Sequence, residues 1–489
     1  MEGQESQTLR ETAHRLVSSV YKANPSMVPP QAKREGSLLM RDPPGPGVRH
    51  PQVYANGSEK LQDRSPYESK MHWRYEPWLC GSELPRVDCS TTAGFQKALE
   101  FIARRVPVVM LNLGVMPSIS KWNTKYFEEH TTDWPGMDVL KSAGGENRYL
   151  YYVGEQADRD MSAFQGAPRQ ASQNFRMSYR SFMQRAKDDP GQCYYLQAPL
   201  VLRNTNAEGQ VREMWCKGID ETLRADCDSK VNRERLKQME NAGQFGLWSR
   251  SQLFVGPGDT LSPIHYDQYD NIFLQVTGKK HFLLFDPRAA EGLYPFPACH
   301  PYDEYAMLDL EQVDHKSFPR AQQELAGRGS CTTLGPGESL YIPTHWWHHV
   351  QGAASKKDSH SISVNFWYTI TNVVVQAPHP LPLHLELELA RHVEFLLSDV
   401  CGSSAVGQIL EALHADVEDN SSAQGAENAE AEDFVSLPVR NFVLFRLARL
   451  IGAESARNFV HEYLPRERFN RVVVLRALRG PQRGAREKA

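Results

Sequence analysis

Residues 261–280 read LSPIHYDQYDNIFLQVTGKK, with His265-Tyr266-Asp267 near the start. On a β-strand, residues two apart project to one face, so His265 and Asp267 present an imidazole and a carboxylate side by side. Asn271 to Val276 forms an apolar run, Thr277-Gly278 a turn, and Lys280 to Phe285 a second run. Two such runs about a short glycine-containing turn predict a β-hairpin. Alternation puts Lys280 on the face of Phe282 and Leu284, where an ammonium is costly unless an anion meets it. A lysine at a strand end also snorkels to water, which is the plainer reading of the position taken alone.

A His-x-Asp pair by itself carries little. His414-Ala415-Asp416 is a second one, but Ile409, Leu410 and Leu413 beside it have helical spacing. On a helix, residues two apart point about 200° around the axis, so that pair does not share an ion. The spacing predicts a helix end with solvated polar groups. For the first pair, the best third ligand is His348, in Tyr341-Ile342-Pro343-Thr344-His345-Trp346-Trp347-His348-His349-Val350. On a strand His349 points the other way. Two histidines and one carboxylate leave about half of an octahedral ion open, the pattern of non-haem Fe(II) oxygenases. A closed structural zinc site needs a fourth ligand. Beside such an ion, the Lys280 ammonium is suited to the distal carboxylate of 2-oxoglutarate. Asn271, four residues after Asp267, and Asn365, in SVNFWY, are polar groups able to bond carboxylate oxygens. Ser262 is three before His265 and needs a kink at Pro263 to join them.

The 489 residues suffice for two or three domains. Net charge is −4 and the pI about 6.5, which gives no global field for nucleic acid. There is no apolar run long enough for a membrane span and no secretory signal pattern at the N-terminus. The eight cysteines are scattered without a Cys-x-x-Cys, against a zinc ribbon or a disulfide framework. Reduced thiols in the cytoplasm or nucleus are expected.

Residues 1–83 are proline-rich and charged and are expected to be a poorly ordered extension, with a short helix over Thr8 to Ala23. Thr91 caps an amphipathic helix reaching Arg105, ended by Pro107, and Val108 to Leu111 is a strand. Arg148 to Tyr152, Tyr194 to Gln197, Gln252 to Val255, Glu338 to Ile342 and Ser361 to Tyr368 are further strand candidates, and Ser178 to Ala186 a helix. Many short strands split by Gly and Pro turns suggest a mainly β fold with helices, a barrel or double-sheet jelly roll, over 84–375. Residues 376–489 turn helical. Leu385, Leu389, Val393, Leu396 and Leu397 form one stripe, Val406 to His414 a second helix, and Val439 to Ile451 a third, with Pro438 near its start. An acidic flexible insert is expected at 418–433, and a solvated Arg-rich tail after Arg466. The apolar faces of these helices suit either the chain's own barrel or a homodimer.

Taken together, several motifs make the sequence resemble the JmjC/cupin oxygenases, within them the asparaginyl-hydroxylase branch that acts on hypoxia-inducible factor. They are Ser262-Pro263-Ile264-His265-Tyr266-Asp267, Asn271, Gly278-Lys279-Lys280, Leu293-Tyr294-Pro295-Phe296-Pro297, Gly335-Pro336-Gly337, Trp346-Trp347-His348-His349 and Val364-Asn365-Phe366-Trp367-Tyr368. The resemblance implies a double-stranded β-helix that binds Fe(II) through His265, Asp267 and His348. It also implies that Tyr195, Ser262, Asn271, Lys280 and Asn365 hold 2-oxoglutarate, and that O2 is consumed to hydroxylate a protein or peptide substrate. Ser262 stands where the branch has Thr, which keeps the hydroxyl. The substrate groove matches less well: Glu304-Tyr305 replaces an Arg-Gln pair, and Tyr269 replaces a Gln. Tyr151 and Trp367 are its other candidate lining residues. The alternatives are a JmjC lysine demethylase, a hydroxylase of another residue or of RNA, and a cupin that binds without turnover.

Overall fold

The computed structural model describes residues 73–464 apart from 132–135, 143–149, 151–171, 190, 206–210, 217, 259, 299, 301, 354–359, 370–379, 404 and 419–432. The expected helix at Thr8 to Ala23, the strand at 148–152 apart from Leu150, the acidic insert apart from Glu418 and Asp433, and the Arg-rich tail therefore lie outside the described residues.

Two sheets face each other. The smaller holds, in spatial order, β1 (Cys80–Glu83), β12 (Gly329–Leu334), β11 (Lys279–Phe285), β14 (Trp347–Ala353) and β9 (Leu261–His265). The larger runs β2 (Arg86–Asp88), β3 (Val108–Leu111), β13 (Ser339–Ile342), β10 (Asp270–Thr277), β15 (His360–Tyr368), β8 (Trp248–Pro257), β6 (Tyr194–Thr205), β4 (Met137–Lys141) and β5 (Gln173–Met177), with β7 (Val211–Trp215) also on β6. Strands β8 to β15 divide four and four between the sheets, the jelly roll of a double-stranded β-helix. The globular part reaches back to Trp73, ahead of the expected boundary at 84: β1 adds in parallel to β12, and Trp73 stacks on His281 at 3.6 Å.

The run 270–285 is not a hairpin. Its first half pairs with β13 and β15, its second with β12 and β14, so the chain crosses between sheets at Thr277-Gly278. Gly278 has φ +68°, and a Cβ there would lie 2.9 Å from Ser361 Cα. Glycine is needed at this corner for both reasons. Sequence spacing alone does not separate a turn that pairs its two strands from one that sends them to different sheets.

Each sheet has an inner and an outer face, and register tells them apart. On the smaller sheet, Lys280 pairs with Gly352, Phe282 with Val350, and Leu284 with His348, which itself pairs with His265. These residues share the inner face, whose apolar part (Phe282, Leu284) packs on Phe273, Leu340 and Ile342 of the other sheet. Their neighbours Leu283 and Phe285 belong to a separate outer core. That core is closed by α8 (Leu383–Cys401), α9 (Val406–Glu418), α10 (Asp433–Ile451) and α11 (Ala453–Tyr463). The outer face of the larger sheet packs on α1 (Thr92–Ala103), α3 (Tyr179–Asp188) and α5 (Arg233–Gly243). The short α2 (Thr124–His130), α4 (Glu221–Cys227), α6 (Ala290–Leu293) and α7 (Ala321–Leu325) complete the α-helices of the described residues. Thr91 caps α1 as expected, accepting from Gly94 N at 3.1 Å.

The C-terminal helices depart from the sequence reading in four ways. Helix α10 begins at Asp433, so Pro438 lies inside it, and α11 was not anticipated. His414 is buried rather than solvated, and its Nε2 lies 2.7 Å from the Leu464 carbonyl. The buried face of α8 carries Glu388, Arg391 and Glu394 with Val393 and Leu397, while Leu385 stays half-buried. Val439, Val443 and Leu447 of α10 pack into the chain's own core.

Candidate metal centre

Strand β9 ends at His265, and Asp267 lies in the segment beyond it. The pair therefore does not rely on strand alternation, as the sequence reading supposed. His265, Asp267 and His348 nevertheless each offer one ligand atom within 4.8 Å of the other two. The His265 and His348 rings stand 4.2 Å apart, and His348 Nε2 is 3.7 Å from Asp267 Oδ2.

Each imidazole is held by its other nitrogen. His265 Nδ1 is 2.6 Å from the Pro263 carbonyl and His348 Nδ1 is 2.9 Å from that of Trp346. A carbonyl only accepts, so both Nδ1 atoms carry the proton and both Nε2 atoms keep a lone pair for a cation. Burial pushes both imidazoles down to about 4, which keeps them neutral near pH 7. Burial pushes the Asp267 carboxyl up; His265, Arg250 and an Asn271 side-chain hydrogen bond act the other way.

Strands β9 and β14 also explain Ser262. His265 pairs with His348, but Ser262 pairs with Val350, so three steps on one strand match two on the other. The bulge at Pro263-Ile264 reverses the parity and returns Ser262 to the inner face. This is the kink that the sequence required.

Further in, Lys280 is 4% exposed. Its Nζ donates to Tyr195 Oη at 3.0 Å and Ser363 Oγ at 2.9 Å, among the rings of Phe273, Phe254 and Tyr195 at 5.0, 5.3 and 5.5 Å. Among the described residues no carboxylate pairs with it, and burial pushes the ammonium down to about 7. Register places Asn271 and Asn365 on the same interior: Asn271 pairs with Trp367, and Asn365 with Phe273 and Gln252. Both are buried, and among the described residues each keeps Oδ1 without a hydrogen-bond partner. Unpaired amide atoms and a lone ammonium are costly in an apolar interior unless a polar ligand completes them.

At the rim, Tyr269 stacks on Trp367 at 5.6 Å, and the Arg250 guanidinium lies over both rings, 4.1 Å from that of Trp367. Tyr305 bridges to His265, with ring centroids 5.5 Å apart. Glu304 accepts from Gln268 Nε2, and burial together with the Asp303 charge raises its carboxyl. Tyr151 lies outside the described residues. The sequence reading missed Ser363 and Arg250. Ser363 was within reach, since it lies two before Asn365 on one strand and so shares its face. Arg250 gives no such signal.

The fold is a jelly roll that brings two histidines and a carboxylate together, and the chain belongs to the cupin-like domain family: the description "Cupin-like domain" matches residues 94–372. It is similar to lysine-specific demethylase 8 of Xenopus tropicalis, 34% identical over 116 residues, 24% of each chain. It is similar to lysine-specific demethylase JMJ30 of Arabidopsis thaliana, 37% identical over 116 residues, 24% of this chain and 25% of that one. It is also similar to mouse HSPB1-associated protein 1, 35% identical over 121 residues, 24% of this chain and 23% of that one. The chain thus spans about a quarter of the length of these curated relatives.

Proposed function

We propose that this chain is an Fe(II)- and 2-oxoglutarate-dependent oxygenase that hydroxylates a protein side chain. The observation that carries the reading is the buried Lys280 ammonium, with no carboxylate partner among the described residues, on the same inner face as the cluster of His265, Asp267 and His348. The three would hold the iron, and the donor set of two neutral imidazoles and a carboxylate suits it. Iron bound there would supply O2 activation coupled to oxidative decarboxylation of 2-oxoglutarate. Lys280 would fix the far carboxylate of the cosubstrate as an ion pair in low dielectric, with Tyr195 and Ser363 orienting the ammonium. Asn271, Asn365 and Ser262 would supply hydrogen bonds to the remaining oxygens. The apolar rings about Lys280 would keep water from that pair. Tyr269, Trp367, Arg250, Glu304 and Tyr305 would frame the substrate.

Demethylation is the second reading, favoured by the names of two relatives. It uses the same step, since hydroxylating an N-methyl group leaves a carbinolamine that loses formaldehyde. The test is to incubate the full chain with Fe(II), 2-oxoglutarate and O2 over a panel of peptides carrying unmodified and methylated side chains. Succinate is followed by NMR and the peptides by mass. Hydroxylation adds an oxygen, and demethylation removes a methylene. No succinate above that of His265→Ala under any condition sinks the oxygenase reading.

A further inference from the structure

Behind the candidate ligands lies a buried ionic network that metal binding itself does not use. Helix α8 buries Glu388, Arg391 and Glu394 at three-residue intervals on one face. Arg391 donates to both Asp303 oxygens, at 2.5 and 2.7 Å, and to the Tyr266 hydroxyl at 2.5 Å. Glu388 Oε1 lies 2.9 Å from His345 Nε2, and Glu394 accepts from Ala298 N at 2.7 Å. Every one of these contacts ends on a loop that carries or abuts a metal position. Tyr266 sits between His265 and Asp267, and its ring meets the edge of Trp347, the residue before His348, at 4.8 Å. His345 N donates to the Asp267 carbonyl at 2.9 Å, and Tyr266 N to that of Glu304 at 3.0 Å. His345 and Glu304 have φ +63° and +74°, conformations that L residues hold only when their surroundings impose them.

Replacing a whole buried ionic network by apolar side chains of equal volume is often neutral or stabilising, whereas removing one partner alone is costly. What apolar side chains would not do is set direction. The forked guanidinium fixes the roll of Tyr266, and the backbone bonds on either side pass that roll to His265 and Asp267.

We propose that Arg391, seconded by Glu388, is a positioning residue: helix α8 sets the spacing of His265, Asp267 and His348 and so couples the C-terminal helices to the metal centre. The inference rests on the metal reading above. Its test is a Co(II) titration of the metal-free full chain, followed by visible absorption, beside a melt of the metal-free protein. Arg391→Met is expected to weaken Co(II) binding roughly 10- to 100-fold and to change the band shape, as loss of an outer partner does at metal sites. Arg391→Lys should regain part of the affinity. Tyr266→Phe removes a single hydroxyl and should act in the same direction with its melt preserved; it decides the matter if Arg391→Met does not fold. Arg391→Met or, failing that, Tyr266→Phe binding Co(II) with wild-type affinity and spectrum overturns this inference alone, provided His265→Ala abolishes uptake. Wild-type protein that takes up no Co(II) overturns the metal reading and this inference with it.

Discussion

His348 and His349 are neighbours on β14, both buried, both imidazoles pushed down by burial, to about 4 and about 3. Yet one faces His265 across the strand pair and the other sits edge-on to Tyr75 at 6.0 Å. Lys280 and His281 repeat the contrast on β11. Lys280 looks inward with no carboxylate partner among the described residues, while His281 lies between Trp73 and Thr333 outside. Burial and a shifted pKa are therefore common to a candidate ligand and to a packed histidine. Which sheet face the residue occupies separates them, and that is a matter of register.

The largest expected effect tests this contrast directly. His348→Ala should abolish metal uptake and 2-oxoglutarate turnover. His349→Leu, on the outer face, should retain both and alter only the melting temperature. Equal loss of metal in the two variants would mean that the faces do not divide chemistry from packing.

Lys280→Met comes next, with opposite signs for two measurements. Losing the ammonium should weaken 2-oxoglutarate binding by about 2–5 kcal/mol, since a buried carboxylate is left unpaired. The ligand-free protein should become more stable in urea, because an uncompensated buried charge is removed. A loss of apo stability would instead make Lys280 a packing residue.

The pH dependence follows from the same group. The Lys280 ammonium is lowered from 10.5 to about 7, so between those values the unfolded chain binds more protons than the folded one. Its penalty is full below about pH 7 and fades as pH rises toward 10.5, so ligand-free stability should climb over that window. In Lys280→Met that contribution to the slope should vanish. Binding of 2-oxoglutarate should move the other way and weaken as pH rises above neutrality, which isothermal titration at several pH values reads directly.

The smallest effect concerns the crossing between faces. Gly278→Ala puts a methyl against Ser361 at a positive φ and should cost on the order of 1–3 kcal/mol in chemical denaturation. Co(II) affinity should change little, because the corner lies at the far end of β10 from Asn271. A neutral substitution would show that the sheet crossing tolerates a side chain.

How much of this was legible beforehand differs by residue. The motif around His265, the Trp346-Trp347-His348-His349 run and the lone Lys280 are composition and order, and they pointed to one ion and one anion without coordinates. The mainly β jelly roll followed from many short strands split by Gly and Pro turns. The hairpin expected at 271–285 failed because local spacing records only that a strand turns, not which strands it then pairs with. The stripe expected on α8 hid Glu388 and Arg391, since their partners Asp303, Tyr266 and His345 lie far away in the chain.

By itself the sequence determined the fold class and which donor side chains the candidate site offers, because residue type and strand period are local properties. Tertiary structure alone decided the parity shift that brings Ser262 inward and the choice of Ser363 and Arg250 as neighbours. It also decided the hold of α8 on Tyr266. Those depend on a bulge, on register between strands and on long-range ion pairs, which take their geometry from the packed chain rather than from any segment of it.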